Sequence, residues 1–318
     1  MLNTSVHIQT CLEMLEEYRE RRSAATASSA RKLEFDRVDG KDVYNITAPF
    51  EDEGEWKLAG RVEGRDTEFS EVLIFHLNGE VWEPDARYAP LPLQDPFYTR
   101  IGGELILGGV SLIPDKDDPH RIASWVTAFR RGAALSGLTP FLTGPDHMKD
   151  VRLVELPDGE IGVLSRPQGE KGGRGKIGFT RASSLTAVTA EEIAAAPLFE
   201  SMFPDEEWGG ANEAHVLKNG LIGVLGHVAS FDEAGDRHYY PMTFAFDPAT
   251  RNRTPMKIIA ERADLPAGPA KRPDLADILF SGGLIRHEDG TADLYVGISD
   301  AEAGVIRLPD PFLEYEAL

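Results

Sequence analysis

The chain has 318 residues, with 33 Lys and Arg against 53 Asp and Glu, a formal charge of −20. That charge excludes nucleic acid as a main partner, because phosphate backbones are held by stripes of Lys and Arg. It argues equally against an anionic membrane surface. With 42% hydrophobic and 27% charged residues, the composition is that of an ordinary globular protein rather than a disordered one. The single cysteine, Cys11, rules out an internal disulfide and points to a reducing compartment. Residues 1–10 lack the positive n-region and apolar core of a signal peptide, and no apolar run is long enough to span a bilayer. A cytoplasmic protein is expected.

The first element is a helix over residues 6–20, where Ile8, Cys11, Leu12, Leu15 and Tyr18 recur at helical spacing. The small, polar stretch Ser23–Ala30 reads as a linker, so residues 1–30 are set apart from one domain over 31–318. Beyond it, 31 Gly and 21 Pro imply many turns. Apart from a short helix over Ala190–Ala196, everything reads as short strands. Five hairpins follow in order, around Asn78-Gly79, Gly102-Gly103, Asp158-Gly159, Asn219-Gly220 and Asp289-Gly290. Asn-Gly and Asp-Gly between apolar runs signal type I′ turns, which need φ > 0 at both central residues.

Polar clusters near these hairpins begin at Asn45, Asp95, Lys149, Glu213 and Gly282, roughly 50 to 70 residues apart, a repeat of propeller size. The expected fold is therefore all-β: a five-bladed β-propeller with a short N-terminal helix. Two β-sandwich domains are the alternative, but no linker divides the chain.

Several motifs fail their structural context. Gly173–Gly178 fits G-x-G-x-x-G, yet it leads into an apolar β-like run instead of opening a helix. No H-E-x-x-H, C-x-x-C or G-x-S-x-G occurs, so no metal or nucleotide cofactor is expected.

What remains are polar residues in apolar surroundings. Arg61 and Glu63 alternate with Val62 and so share one face of a strand. Asp95 precedes Pro96, which suits an extended or turn-capping residue. Lys149 and Arg166 fall at one end of a hairpin, and two fixed cations beside a histidine suit a phosphate. His227 ends the apolar run Leu221–Val228 and also fits as a core histidine; Asp300 fits as a turn residue. In a propeller, equivalent blade positions converge on the central channel.

The segments Asp42–Thr47, Ala59–Glu63, Gln94–Phe97, Met148–Arg152, Ser165–Gly169, Gly226–Val228 and Tyr295–Asp300 occur in an order that resembles the MTP-type mannosyltransferase/phosphorylases of glycosyltransferase family 108. These share a five-bladed propeller with the mannoside phosphorylases of glycoside hydrolase family 130. The resemblance spans residues 33–312. It implies reversible, inverting phosphorolysis of β-1,2-mannosides to mannose 1-phosphate, and transfer of mannose to β-1,2-oligomannoside acceptors. Inorganic phosphate is then a co-substrate.

By the same resemblance, Asp95 is the general acid, delivering its proton through the 3-hydroxyl of the mannose. Lys149, Arg166, His227 and Tyr240 match phosphate-binding positions. Asn45, Arg61, Arg65 and Asp300 match mannose-binding positions, and Asp150 and Glu213 complete the substrate-binding set. The chain departs from the phosphorylase pattern in Gln94-Asp95-Pro96-Phe97, where Glu-Asp-Pro-Arg is usual, and in Lys149, where arginine is common. A proton-delivering Asp95 is expected to have a raised pKa. Two alternatives remain: an inverting glycosidase with Glu213 as the base that activates water, and a non-catalytic carbohydrate-binding propeller.

Overall fold

The computed structural model describes residues 8–23 and 29–318. The predicted hairpins group into five antiparallel blades. The first comprises Asp42–Tyr44 and Phe50–Asp52, both paired to Glu55–Glu63, then Ser70–Asn78 and Val81–Pro84, with Glu34–Phe35 added in parallel outside. The second runs through Gln94–Ile101, Glu104–Pro114, Ile122–Gly132 and Thr139–Thr143. The third has Arg152–Glu155, Ile161–Ser165 and Gly178–Ala182. Trp208–Val216, Ile222–Phe231, Arg237–Phe246 and Lys257–Ile258 form the fourth. The fifth contains Asp277–Arg286, Thr291–Ile298 and Glu302–Pro309.

The ring closes through its own N-terminal segment. Ser29–Lys32 pairs antiparallel with Glu302–Pro309, Ser29 opposite Arg307 and Lys32 opposite Gly304, and becomes the outer strand of the last blade. Ser29 and Ala30, the end of the stretch read as a linker, lie in this strand, and residues 24–28 are outside the described residues. Strand polarity gave no warning, because an outer strand with exposed Ser29 and Arg31 is polar on its solvent side.

Five separate apolar clusters fill the spaces between neighbouring blades. Phe50, Ala59 and Ile74 meet Leu105 and Leu107 between the first and second. Phe97 and Phe129 meet Val151 and Val163 between the second and third. Leu164 and Phe179 meet Val224 and Phe244 between the third and fourth. Leu225 meets Leu279 and Leu294 between the fourth and fifth, and Val43 and Val62 meet Val305 at the closure. Blade faces are thus buried on both sides, which is why the strands read as apolar runs.

The helix spans Cys11–Ser23, shifted from the expected 6–20; residues 6 and 7 lie outside the described residues. It buries Cys11, Met14 and Leu15 against the third and fourth blades, while Leu12 is 61% exposed. The short helix expected over Ala190–Ala196 spans Ala190–Ala195 and opens with a Thr189–Glu192 capping box. Four turns differ from the expected type. Only Gly102-Gly103 has positive φ at both positions, 57° and 80°. Around Asp158, Asn219 and Asp289 the following glycine alone is left-handed, and Gly159, Gly220 and Gly290 donate back three residues to Leu156, Leu217 and His287. These are type I turns followed by a left-handed glycine, the three-residue hairpin loop. Among the described residues no helix is long and apolar enough to cross a membrane.

Candidate functional site: a buried charge cluster in the channel

The polar residues that the sequence singles out lie on the blade strands or in the turns at their ends, and local backbone distortion aims several of them. Register shifts interrupt the pairing at Gln94/Phe97, Ala211/Glu213 and Ser281/Gly283. Such bulges re-aim side chains and gather beside active sites. Asn45, Asp95, Asp150 and Asp300 also sit at positive φ, between 45° and 60°. Asn and Asp are the residues that tolerate this region, and strain held at several of them together marks a functional site.

Asp95 is 8% exposed and lies at the first-to-second blade junction. Its Oδ1 accepts from Asn45 Nδ2 at 2.7 Å and from Arg61 Nη1 at 3.0 Å. Arg61 is held in turn by Glu63, with Nε donating to Oε2 at 3.0 Å, and its guanidinium lies 4.9 Å from the Tyr44 ring centroid. Glu63 also accepts from Tyr44 Oη at 2.8 Å and pairs with Lys271, whose Nζ donates to Thr67 O at 2.7 Å. Arg61 and Glu63 therefore share a face, as expected. The two further partners of Glu63, Tyr44 and Lys271, were not legible as such; Lys271 comes from a loop before the fifth blade.

The raised pKa expected at Asp95 is corrected. Burial acts to raise it, but the charges of Arg61 and Lys149 and the Asn45 hydrogen bond outweigh burial and hold the carboxyl below its ordinary value. Asp300 behaves in the opposite way. It sits with Ser299 at the centre of a turn closed by Ala301 N to Ile298 O at 3.0 Å, both residues at positive φ. Burial pushes its pKa up to about 6, opposed by Arg61 and supported by Asp95. Of these two carboxyls, Asp300 is therefore the one that takes up a proton first as pH falls.

A second cluster adjoins the first. Arg166 is 2% exposed, its Nε donates to Gly209 O at 2.8 Å, and its Nη1 is buried with no partner among the described residues. Gly175 leaves room for the guanidinium: a Cβ there would stand 2.6 Å from Nη2. Asp150 lies 3.5 Å from Arg166 Nε and 3.8 Å from Arg152 Nη2, with Oδ2 buried and without a hydrogen bond. Burial, the largest single influence, acts to raise its pKa, but the charges of Arg166, Lys149 and Arg152 together hold it below its ordinary value. Lys149 is half-buried and its charge acts on both Asp95 and Asp150. His227 is 1% exposed; burial drives its pKa down to about 3, so its ring is neutral. The structure thus brings Lys149, Arg166, His227 and Asp150 together next to Asn45, Arg61, Asp95 and Asp300.

Three candidates fall elsewhere. Tyr240 points into the core under the N-terminal helix, its hydroxyl donating to Asp277 at 2.6 Å. Its neighbour Tyr239 stacks on His227 at 5.6 Å between centroids, and accepts from Trp208 Nε1 at 3.0 Å. Alternation along Arg237–Phe246 puts one tyrosine on each face, and sequence order alone does not say which. Glu213 is turned by the bulge at Ala211: Oε2 accepts from Leu284 N at 2.7 Å and lies 3.1 Å from His215. It lines a cavity of about 190 Å³ together with Phe97, Arg152 and Asn212, where Arg152 stacks 3.9 Å over Phe97. Arg65 is at the surface, where it pairs with Asp42 at 2.7 Å. The sequence also gave no notice of Asn212, which enters the site through the same bulge and bonds His227 Nδ1 at 2.8 Å.

The fold and site define a five-bladed β-propeller whose channel holds a buried carboxylate group beside a guanidinium, Arg166, with one donor unpaired among the described residues. The chain matches the family described as "Protein of unknown function (DUF1861)" over residues 19–314, and it belongs to that family. Among solved structures it is similar to MPT-4, a mannose phosphorylase from Leishmania mexicana in complex with a phosphate ion. The identity is 35%, covering 95% of this chain and 94% of that one, with a TM-score of 0.87. It is similar to MPT-1, a GDP-Man-dependent mannosyltransferase from the same organism, at 32% identity, with 96% of each chain covered and a TM-score of 0.86. These relatives are of the kind that the sequence resembles. The β-1,2-mannobiose phosphorylase from Listeria innocua shares the fold at 13% identity, over 86% of this chain and 91% of that one, with a TM-score of 0.56. No curated protein sequence matches the chain.

Proposed function

We propose that the protein is an inverting β-1,2-mannoside phosphorylase/mannosyltransferase that moves mannose between inorganic phosphate and β-1,2-oligomannosides. The observation that carries this reading is Arg166: a fully buried guanidinium with an unpaired Nη1, beside Lys149 and His227, in a chain of charge −20. An unmatched buried donor costs about 1–3 kcal/mol or more, and an anion that accepts from it removes that cost. The phosphate complex of MPT-4, 35% identical, supports the same anion.

In phosphorolysis, a phosphate oxygen held by Lys149, Arg166 and His227 attacks the anomeric carbon from the face opposite the glycosidic oxygen. The C1–O bond to the aglycone breaks as the C1–O bond to phosphate forms. Asp95 gives its proton to the mannose 3-hydroxyl, whose own proton passes to the departing oxygen. Asn45, Arg61 and Asp300 hold the sugar. In the transfer direction every step reverses and Asp95 is the base.

The depressed pKa of Asp95 fits this two-way traffic. In the empty site the carboxylate is ionised and poised to accept a proton from an acceptor hydroxyl. Phosphate bound near Lys149 offsets one of the two charges that hold Asp95 ionised, so binding the nucleophile favours the protonated acid that phosphorolysis needs. The hydrolytic alternative requires a free carboxylate as base; Glu213 is engaged by the Leu284 N–H and His215.

The test is incubation with β-1,2-mannobiose with and without phosphate, and with GDP-mannose and acceptor in parallel. Phosphate-dependent release of α-mannose 1-phosphate is expected. Equal release of free mannose without phosphate would identify a hydrolase, and turnover confined to GDP-mannose would identify a nucleotide-sugar transferase.

A further inference from the structure

Asn212 and Ser281 form a buried relay behind His227 that none of the reaction roles above uses. Ser281 is 0% exposed and Asn212 2% exposed. Ser281 Oγ lies 2.7 Å from Gly226 O and 3.0 Å from Asn212 Oδ1, and Asn212 Oδ1 lies 2.8 Å from His227 Nδ1. A hydroxyl has one proton, so Ser281 cannot donate to both of its neighbours. With Oδ1 facing His227, Asn212 Nδ2 is also left buried without a partner among the described residues. Two N–H groups are then unmatched, the rarer and costlier kind of orphan.

The two ends of an amide have the same shape, and hydrogen bonds decide which end faces a neighbour. Turned by half a rotation, Nδ2 gives one proton to Ser281 Oγ and the other to His227 Nδ1, while Ser281 gives its only proton to Gly226 O. Three bonds are then complete where at most two were, and a single carbonyl oxygen is the group left over. We propose that Asn212, oriented by Ser281, fixes His227 as the neutral Nε2–H tautomer, which makes it a hydrogen-bond donor to the anion that Arg166 holds.

The packing places the ring for that task. Gly210 has no side chain to separate the two groups: a Cβ there would lie 2.7 Å from Arg166 Cδ and 2.8 Å from His227 Cε1. Tyr239 and Phe280 enclose the ring at 5.6 and 4.9 Å. With Nδ1 occupied by Asn212, Nε2 is the nitrogen that remains for a ligand, and a neutral Nε2–H donates to phosphate without taking up a proton. Asn212 and Ser281 are positioning residues, acting through His227. The inference rests on the phosphate-site reading for its purpose, though the tautomer itself is a property of the free protein.

The experiment is long-range ¹H–¹⁵N NMR of the phosphate-free protein labelled at histidine, with His227 assigned by loss of its signals in His227→Gln. The expected spectrum shows a protonated Nε2 and an unprotonated Nδ1 at pH 7. Ser281→Ala releases the amide and is expected to mix the two tautomers and raise the phosphate KM several-fold at unchanged mannoside KM, with Ser281→Thr restoring both. An Nδ1–H tautomer in the wild type overturns the proposal, as does a Ser281→Ala protein whose tautomer is unchanged. An Nε2–H tautomer in a protein that never uses phosphate would leave the relay standing and sink the phosphorylase reading instead.

Discussion

Asn45 Nδ2 donates to Asp95 Oδ1 at 2.7 Å, tying the left-handed Asx of the first blade to that of the second. The bond stabilises the ionised carboxylate and is one reason its pKa lies low. Asn45→Ala removes it, so the Asp95 pKa must rise. In the transfer direction, where Asp95 acts as base, the acidic limb of the kcat/KM–pH profile is expected to move up by roughly one unit or less. A limb that stays in place would remove Asn45 from the control of Asp95.

The anion site is expected to discriminate charge from shape. Arg166→Lys keeps the charge but loses the planar fork, and the phosphate KM is expected to rise at least about tenfold with the mannoside KM little changed. Lys149→Ala acts on a half-buried neighbour and reports on the same ion with less risk to the fold. Phosphate kinetics and thermal melts separate binding from stability.

Asp300 and His227 oppose each other in the dependence of stability on pH. His227 has a folded pKa of about 3 against 6.5 for the free side chain. Its contribution is complete above pH 6.5 and is lost as pH falls towards 3. Asp300 has a folded pKa of about 6 against 3.8, so its contribution is present below 3.8 and lost as pH rises through 6. Asp300→Asn is therefore expected to stabilise the protein at pH 8, by up to about 3 kcal/mol, and not at pH 4. Denaturant melts at the two pH values check the sign, while mannoside binding falls in the variant.

Ring closure gives a prediction of its own. Removing residues 1–32 deletes Ser29–Lys32 and leaves Glu302–Pro309 as an open edge next to the closure cluster of Val43, Ala303 and Val305. Lower melting temperature and self-association on size-exclusion chromatography are expected. Removing residues 1–10 leaves that strand in place and is expected to cost far less.

The architecture was legible because turn chemistry repeats: Asn-Gly, Gly-Gly and Asp-Gly mark the five hairpins whatever the turn type. Asn45, Asp95, Lys149, Arg166 and Asp300 were legible because each stands near an end of an apolar run, Asn45, Arg166 and Asp300 after a strand and Asp95 and Lys149 at or before the start of one. What escaped depends on parity and on distant charge. Tyr239 and Tyr240 differ only in which face they take, and a bulge at Ala211 exchanges the roles of Asn212 and Glu213. The low pKa of Asp95 arises from Arg61 of the first blade and Lys149 at the start of the third, charges that the fold alone brings together.

The most direct measurement is the kcat of Asp95→Asn on β-1,2-mannobiose with saturating phosphate. Asparagine keeps the shape and can still bond Asn45, but it has no proton to give. The loss is expected to be about 10²–10⁴-fold in kcat, with mannoside binding and melting temperature nearly unchanged. A structural turn-capping Asp would tolerate Asn. Activity within about threefold of a wild type that demonstrably turns over the substrate would contradict the assignment of Asp95 as the proton donor.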